Sequence, residues 1–141
     1  MRDQMSNIAP VQVLAPVAAR TSSSPLVGNI VDRLGFGSLT YLINIGANTD
    51  ADVTFTVLLE DGDAADMSDA AAVADAQLIG TEALASFTFA DDDEMRKLGY
   101  IGGKRYSRLT ITPAGNAGNI FVSCVAVMGY PHIAPTANPP A

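Results

Sequence analysis

The stretch Lys104-Arg105-Tyr106-Ser107-Arg108-Leu109-Thr110-Ile111-Thr112, then Pro113-Ala114-Gly115-Asn116-Ala117-Gly118, then Ile120-Phe121-Val122-Ser123-Cys124-Val125-Ala126-Val127-Met128 decides the fold class. Its first part alternates. Lys104, Tyr106, Arg108, Thr110 and Thr112 fall on one face and Leu109 and Ile111 on the other, the period of a half-buried strand. The last part is apolar at nearly every residue, the pattern of a strand covered on both faces. The Pro/Gly/Asn interval between them carries turn chemistry and predicts a hairpin with a loose loop.

Working outward, 141 residues with 48% hydrophobic content suit one domain. A chain of that length buries roughly two thirds of its unfolded surface. Eight Lys and Arg against fifteen Asp and Glu give a net charge of −7. Phosphate neutralisation needs clustered cations, so no nucleic-acid partner is expected. No segment reaches the roughly 18 uninterrupted apolar residues of a membrane-spanning helix, and no membrane partner is expected. The first residues lack the apolar run of a signal peptide, which predicts synthesis in the cytoplasm. Cys124 is the one cysteine and sits mid-strand, where a thiol behaves as a small hydrophobe.

Residues 1–24 read as an extended arm. Ile8 to Val17 alternates in apolar character, but Pro10 and Pro16 restrict it to an edge, either of this domain or of a neighbouring subunit. Residues 25–130 read as the β domain. Leu39, Tyr41, Ile43 and Ile45 share one face of a strand, and Val53, Phe55, Val57 and Leu59 one face of the next; the short loop between them is a hairpin or a corner between sheets. Gln77 to Gly80 and Ser86 to Phe89 are further strand candidates. Residues 131–141, with four prolines and no charge, read as an extended tail. The fold class expected is all-β: one antiparallel β-sandwich or barrel-like domain with extended ends and at most one short helix.

Asp61-Gly62-Asp63 with Asp66 resembles the start of a calcium loop, yet the alternate-position ligands and distant Glu are missing. A solvated loop with a helical turn over Asp69 to Ala76 fits better, because Ser68 or Asp69 can cap it and alanine favours helix. Asp91-Asp92-Asp93-Glu94 reads as exposed charge, since consecutive residues cannot all face one ion. His132 has no second His to build a metal site or triad. Gly99 to Gly103 precedes a strand rather than a helix, so a turn needing positive φ is expected in place of an anion loop. No nucleophile elbow, phosphate loop or zinc spacing occurs, and neither catalysis nor a cofactor is expected.

One asymmetry remains. Arg96, Lys97, Lys104, Arg105 and Arg108 gather five of the eight cations around one turn and one strand. Either they match the acidic residues of this same chain, or they form a contact with an acidic neighbour.

Phe36-Gly37-Ser38-Leu39-Thr40-Tyr41 with Asn44-Ile45-Gly46, Leu78-Ile79-Gly80, Gly99-Tyr100-Ile101-Gly102-Gly103-Lys104-Arg105-Tyr106-Ser107-Arg108-Leu109 and Ala126-Val127-Met128-Gly129-Tyr130-Pro131 together resemble a family of small proteins encoded among the head genes of tailed bacteriophages. The resemblance covers roughly residues 26–135. It implies a capsid decoration, or cement, protein on the outer surface of the virion, bound to the major capsid protein and to copies of itself as trimers. The longer acidic insert at 61–76 departs from the family pattern. A head-completion or tail-tube protein is the alternative from the same gene neighbourhood; a carbohydrate-binding surface module is disfavoured by the lack of Trp. On this reading the contact residues are Pro10, Val11, Val13 and Pro16 in the arm, the five cations above, and Pro131, His132, Ile133 and Pro135 in the tail.

Overall fold

The computed structural model describes residues 3–17 and 19–140. Its strands are β1 (Ile8–Leu14), β2 (Leu26–Val27), β3 (Val31–Asp32), β4 (Phe36–Ile45), β5 (Thr54–Gly62), β6 (Ala71–Ala72), β7 (Leu78–Ile79), β8 (Phe87–Thr88), β9 (Met95–Tyr100), β10 (Tyr106–Ala114) and β11 (Val122–Pro131). The helix α1 spans Glu82–Ala85. One sheet has the order β1-β11-β4-β9-β7 and the other β2-β10-β5-β6, with β3 also pairing β10 and β8 pairing β5. All pairings are antiparallel. The result is the expected all-β sandwich with one short helix, and it is not a closed barrel.

The core lies where the alternation placed it. Leu39, Tyr41, Ile43 and Ile45 of β4 face Phe55, Val57 and Leu59 of β5 across the sandwich, all at most 3% exposed. Phe55 stacks on Phe87 at 4.4 Å between centroids, an arrangement that adds to the area it buries. Cys124 is buried, and burial pushes its thiol up to about 12. A thiol held protonated in this way is inert packing.

Two buried tyrosines tie the sheets together. The Tyr41 hydroxyl on β4 lies 2.7 Å from Ser107 Oγ on β10. Tyr100 on β9 donates to Asp61 Oδ2 on β5 at 2.7 Å, and its oxygen accepts from the Lys104 N–H at 3.1 Å. Each satisfies a polar group that burial would otherwise leave without a partner.

Three expectations are corrected. β10 and β11 do not form a hairpin: they belong to different sheets, and Gly115, at φ +75°, lies in a crossing between them. The same turn chemistry serves both connections, and the partners are chosen by β5 and β4, whose buried faces match. β11 is covered on one face only, leaving Val125 37% exposed on the other. Thirdly, the helical turn expected over Asp69 to Ala76 is reduced to a single 3-10 turn at Asp75–Gln77. Asp69 accepts from the Asp63 and Ala64 N–H groups, and Ala71–Ala72 pairs with β5, so tertiary bonds outweigh alanine's helix propensity.

The ends are tied to the domain. β1 is an edge strand whose Ala9, Val13 and Leu14 enter the core, so over Ile8–Leu14 the structure gives the edge-strand alternative, not an arm outside the core. Pro10 is tolerated at an edge because no second neighbour needs its donor. The outer side of β1 is also occupied. Asn29 donates from its backbone to the Val13 carbonyl at 2.9 Å and from its side chain to that of Gln12 at 3.0 Å; the Thr136 hydroxyl donates to that of Ile8 at 2.7 Å. These contacts blunt an edge that would otherwise invite strand addition.

Candidate interaction surface

Three segments meet at one pole of the sandwich: the residues before β1, the β3–β4 turn and the chain leaving β11. Pro131 pairs with Phe36 at the end of the ladder, and the His132 N–H donates to the Gly35 carbonyl at 2.8 Å. The tail then turns back, and the Thr136 N–H donates to the Ser6 carbonyl at 3.0 Å. Gly35, at φ +87°, allows the tight turn after Leu34.

This pole carries four large apolar residues open to water. Met5 is 64% exposed, Leu34 66%, Tyr130 81% and Ile133 83%. Tyr130 is also held at φ +50°, a left-handed conformation that costs a residue with a Cβ on the order of 1–2 kcal/mol. An aromatic ring fixed in that conformation and left in water stabilises nothing within the chain.

Beside these residues runs a charged seam. Arg105 grips Asp32 with two bonds, 2.9 Å from Nε and 2.7 Å from Nη2, and stacks 4.9 Å from the Tyr106 ring centroid. The Arg105 guanidinium holds the Asp32 carboxyl below its usual range. Arg33 lies over the Tyr100 ring at 5.7 Å and donates to the Lys104 carbonyl. Arg33, Leu34, Phe36, Arg105 and His132 line a shallow depression of about 320 Å³.

The five clustered cations largely have partners in this chain. Arg96 pairs with Asp91 at 2.7 Å and with Glu94, Lys104 with Asp63, Arg105 with Asp32 and Arg108 with Glu60 at 3.0 Å. The internal match therefore accounts for the clustering. The two pairs open to solvent, Lys104–Asp63 and Arg105–Asp32, stabilise by roughly 0–1 kcal/mol each, so they set charge pattern more than stability. Lys97 stands apart, exposed on the outer face of the five-stranded sheet.

Among the other contact candidates, Val13 is 2% exposed and cannot meet a partner: it packs in the core because a register irregularity between Gln12 and Leu14 turns it inward. Val11 is half-buried on the core side. Pro10 and Pro16 are exposed, while Pro131 is half-buried. His132, Ile133 and Pro135 are exposed at or near the pole. The sequence reading passed over Met5, Leu34 and Tyr130. A large apolar residue before Gly-Phe-Gly and an aromatic between a strand's final Gly and a Pro were the available signals.

In the Gly99 to Gly103 run no glycine has the expected positive φ, and close approach is what Gly99 and Gly102 provide. A Cβ on Gly99 would lie 3.0 Å from Ile79 Cβ, and one on Gly102 would overlap the Tyr100 ring. Among the described residues, no three His, Cys, Asp or Glu side chains gather in a way that could hold a metal ion.

No family model and no curated protein matches the sequence. Among solved structures, the SPBc2 prophage-derived protein YomS aligns over 89% of this chain and 99% of its own, with a TM-score of 0.40 and 14% identity. The CBM22-1-GH10 modules of Clostridium thermocellum xylanase 10B align over 95% of this chain and 28% of theirs, at a TM-score of 0.43 and 12% identity. The PBSX exported protein XepA aligns over 89% of this chain at a TM-score of 0.54 and 12% identity, and this chain spans 38% of its length. The likeness to XepA is one of fold.

Proposed function

We propose that this protein is a structural component of a tailed-phage virion, a cement protein that binds the major capsid protein lattice on the outside of the head. The observation that carries the reading is the pole where both ends of the described chain converge, with Met5, Leu34, Tyr130 and Ile133 each 64–83% exposed. Apolar residues gathered in this way mark a protein-binding surface. The Gly-Tyr-Ile-Gly-Gly-Lys-Arg-Tyr run and the Gly-Tyr-Pro that ends β11 support the phage-head reading by resemblance. The fold shared with XepA, a protein whose name ties it to PBSX, is compatible with it.

Mechanically, a lattice clamp needs a rigid body and a contact surface repeated many times. The sandwich supplies the body. Each contact can be weak, because many copies engaging one lattice gain avidity. The acidic body, at −7, favours a basic capsid surface and would speed encounter with it.

Capsids lacking the protein provide the test. Purified protein added back should bind them at saturating, stoichiometric occupancy and raise the temperature at which the heads release DNA. Failure to sediment with such capsids would overturn the assignment.

A further inference from the structure

We propose that the outer face of the five-stranded sheet is covered by a second copy of this chain, packed sheet against sheet. The starting point is the mismatch in β11. Its sequence is apolar on both faces, yet the domain covers only the face bearing Val122, Cys124, Ala126 and Met128. Val125 and Val127 point the other way, paired in register with Leu42 and Thr40 of β4. The same outer face continues through Met95 and Ile79, which are 59% and 62% exposed, to Leu84 on α1 at 72%. Phe121 and Val17, 40% and 53% exposed, extend it at the opposite margin.

Charge argues for a like partner. The chain has fifteen Asp and Glu residues, and none occupies an outward strand position on this face; Lys97 is the one charge at those positions, with Asp3 and Arg96 at the walls of its depressions. The outer face of the other sheet, by contrast, carries the Arg108–Glu60 pair. Two copies with a net charge of −7 repel through most orientations, and on this face no strand position sets a carboxylate against its copy.

Area argues the same way. The two central strands are 10 residues long. With neighbours about 4.8 Å apart, the five strands present roughly 500–600 Å² of flat sheet, which side chains raise toward the roughly 800 Å² per partner of a standard interface. The face is not flat. Gly99, opposite Thr40, and Gly129, opposite Ser38, lie on its floor. Depressions of about 510 Å³, walled by Ile79, Leu84, Met95 and Arg96, and about 570 Å³, walled by Asp3, Ile8 and Val127, meet at Thr40. They are receptacles for the partner's protruding apolar side chains, the complementarity an isologous interface requires.

Sedimentation velocity of the purified full chain, without capsids, tests this separately from lattice binding. Between micromolar and near-millimolar concentration the 14.6 kDa chain should pass from monomer to dimer. Val125→Asp or Leu42→Asp should weaken association by about a hundredfold, since a two-fold interface carries each substitution twice. Thr112→Asp on the opposite sheet should leave association unchanged. Should the aspartate variants fail to fold, the wild type still decides: Lys97 should acetylate more slowly in concentrated than in dilute protein, while Lys104 should not. A wild type that stays monomeric, or a dimer that survives Val125→Asp in folded protein, would overturn the proposal.

Discussion

Tyr100→Phe is expected to destabilise the domain by about 2–3 kcal/mol, the cost of leaving a buried acceptor without a charge-assisted bond. The substitution removes one oxygen. That oxygen donates to Asp61, which is 8% exposed, and accepts from the Lys104 N–H, so two groups lose their partner at once. Tyr41→Phe orphans only the Ser107 hydroxyl and should cost about 1–2 kcal/mol. Thermal unfolding followed by circular dichroism reads both, and a Tyr100→Phe variant melting within a degree of wild type would contradict the role given to the bond. The same phenol sets an alkaline limit. Burial first, and the bond to Asp61 second, push Tyr100 from 10.0 up to about 12. The unfolded chain therefore releases this proton near pH 10 while the folded one keeps it. Above that point the unfolded state binds fewer protons, and stability falls as pH rises from about 10 to 12. Tyr41, also raised by burial, acts in the same direction. The Tyr100→Phe variant, already less stable, should lose less over that window than wild type.

The second large effect concerns binding. A Tyr130→Ala, Ile133→Ser double variant should bind capsids at least about a hundredfold more weakly, because two exposed apolar anchors are removed from the centre of the contact. Its thermal midpoint should be unchanged or slightly raised. Both side chains are more than 80% exposed, so the fold loses little, and at φ +50° the smaller alanine crowds the backbone no more than tyrosine does. Capsid co-sedimentation together with a melting curve separates the outcomes. Undiminished binding would place the contact elsewhere on the molecule. A collapsed melting temperature would show that the pole belongs to the core.

What the sequence discloses here is what local chemistry controls. The phase of β4 and β5 is legible because each alternates strictly between apolar and polar residues, and the buried faces follow. The location of the helix is not, since Asp69 reaches back to the Asp63 and Ala64 amides, a bond that alanine content cannot signal. Nor is the crossing after β10. Pro113 to Gly118 dictates that the chain turns but not which sheet it joins, and that choice depends on strands tens of residues away. The candidate surface was half legible. Ile133 and His132 stand out in a proline-bearing tail, while Leu34 and Met5 join them only because the Gly35 and Ser6 carbonyls capture the returning chain. The cations left two alternatives open, and the internal match is the one the folded chain shows: Asp91, Glu94, Glu60 and Asp63 lie in the acidic segments the sequence offered, while Asp32 reaches Arg105 through a proximity that exists only in the folded sheet.

The position of the protein on the virion tests the central claim most directly. Electron cryomicroscopy of the intact particle should show this β-sandwich on the outer surface of the head, with the pole of Leu34, Tyr130 and Ile133 seated on the capsid lattice. Density for the domain at the portal or along the tail, or heads that carry none of it, would contradict the account.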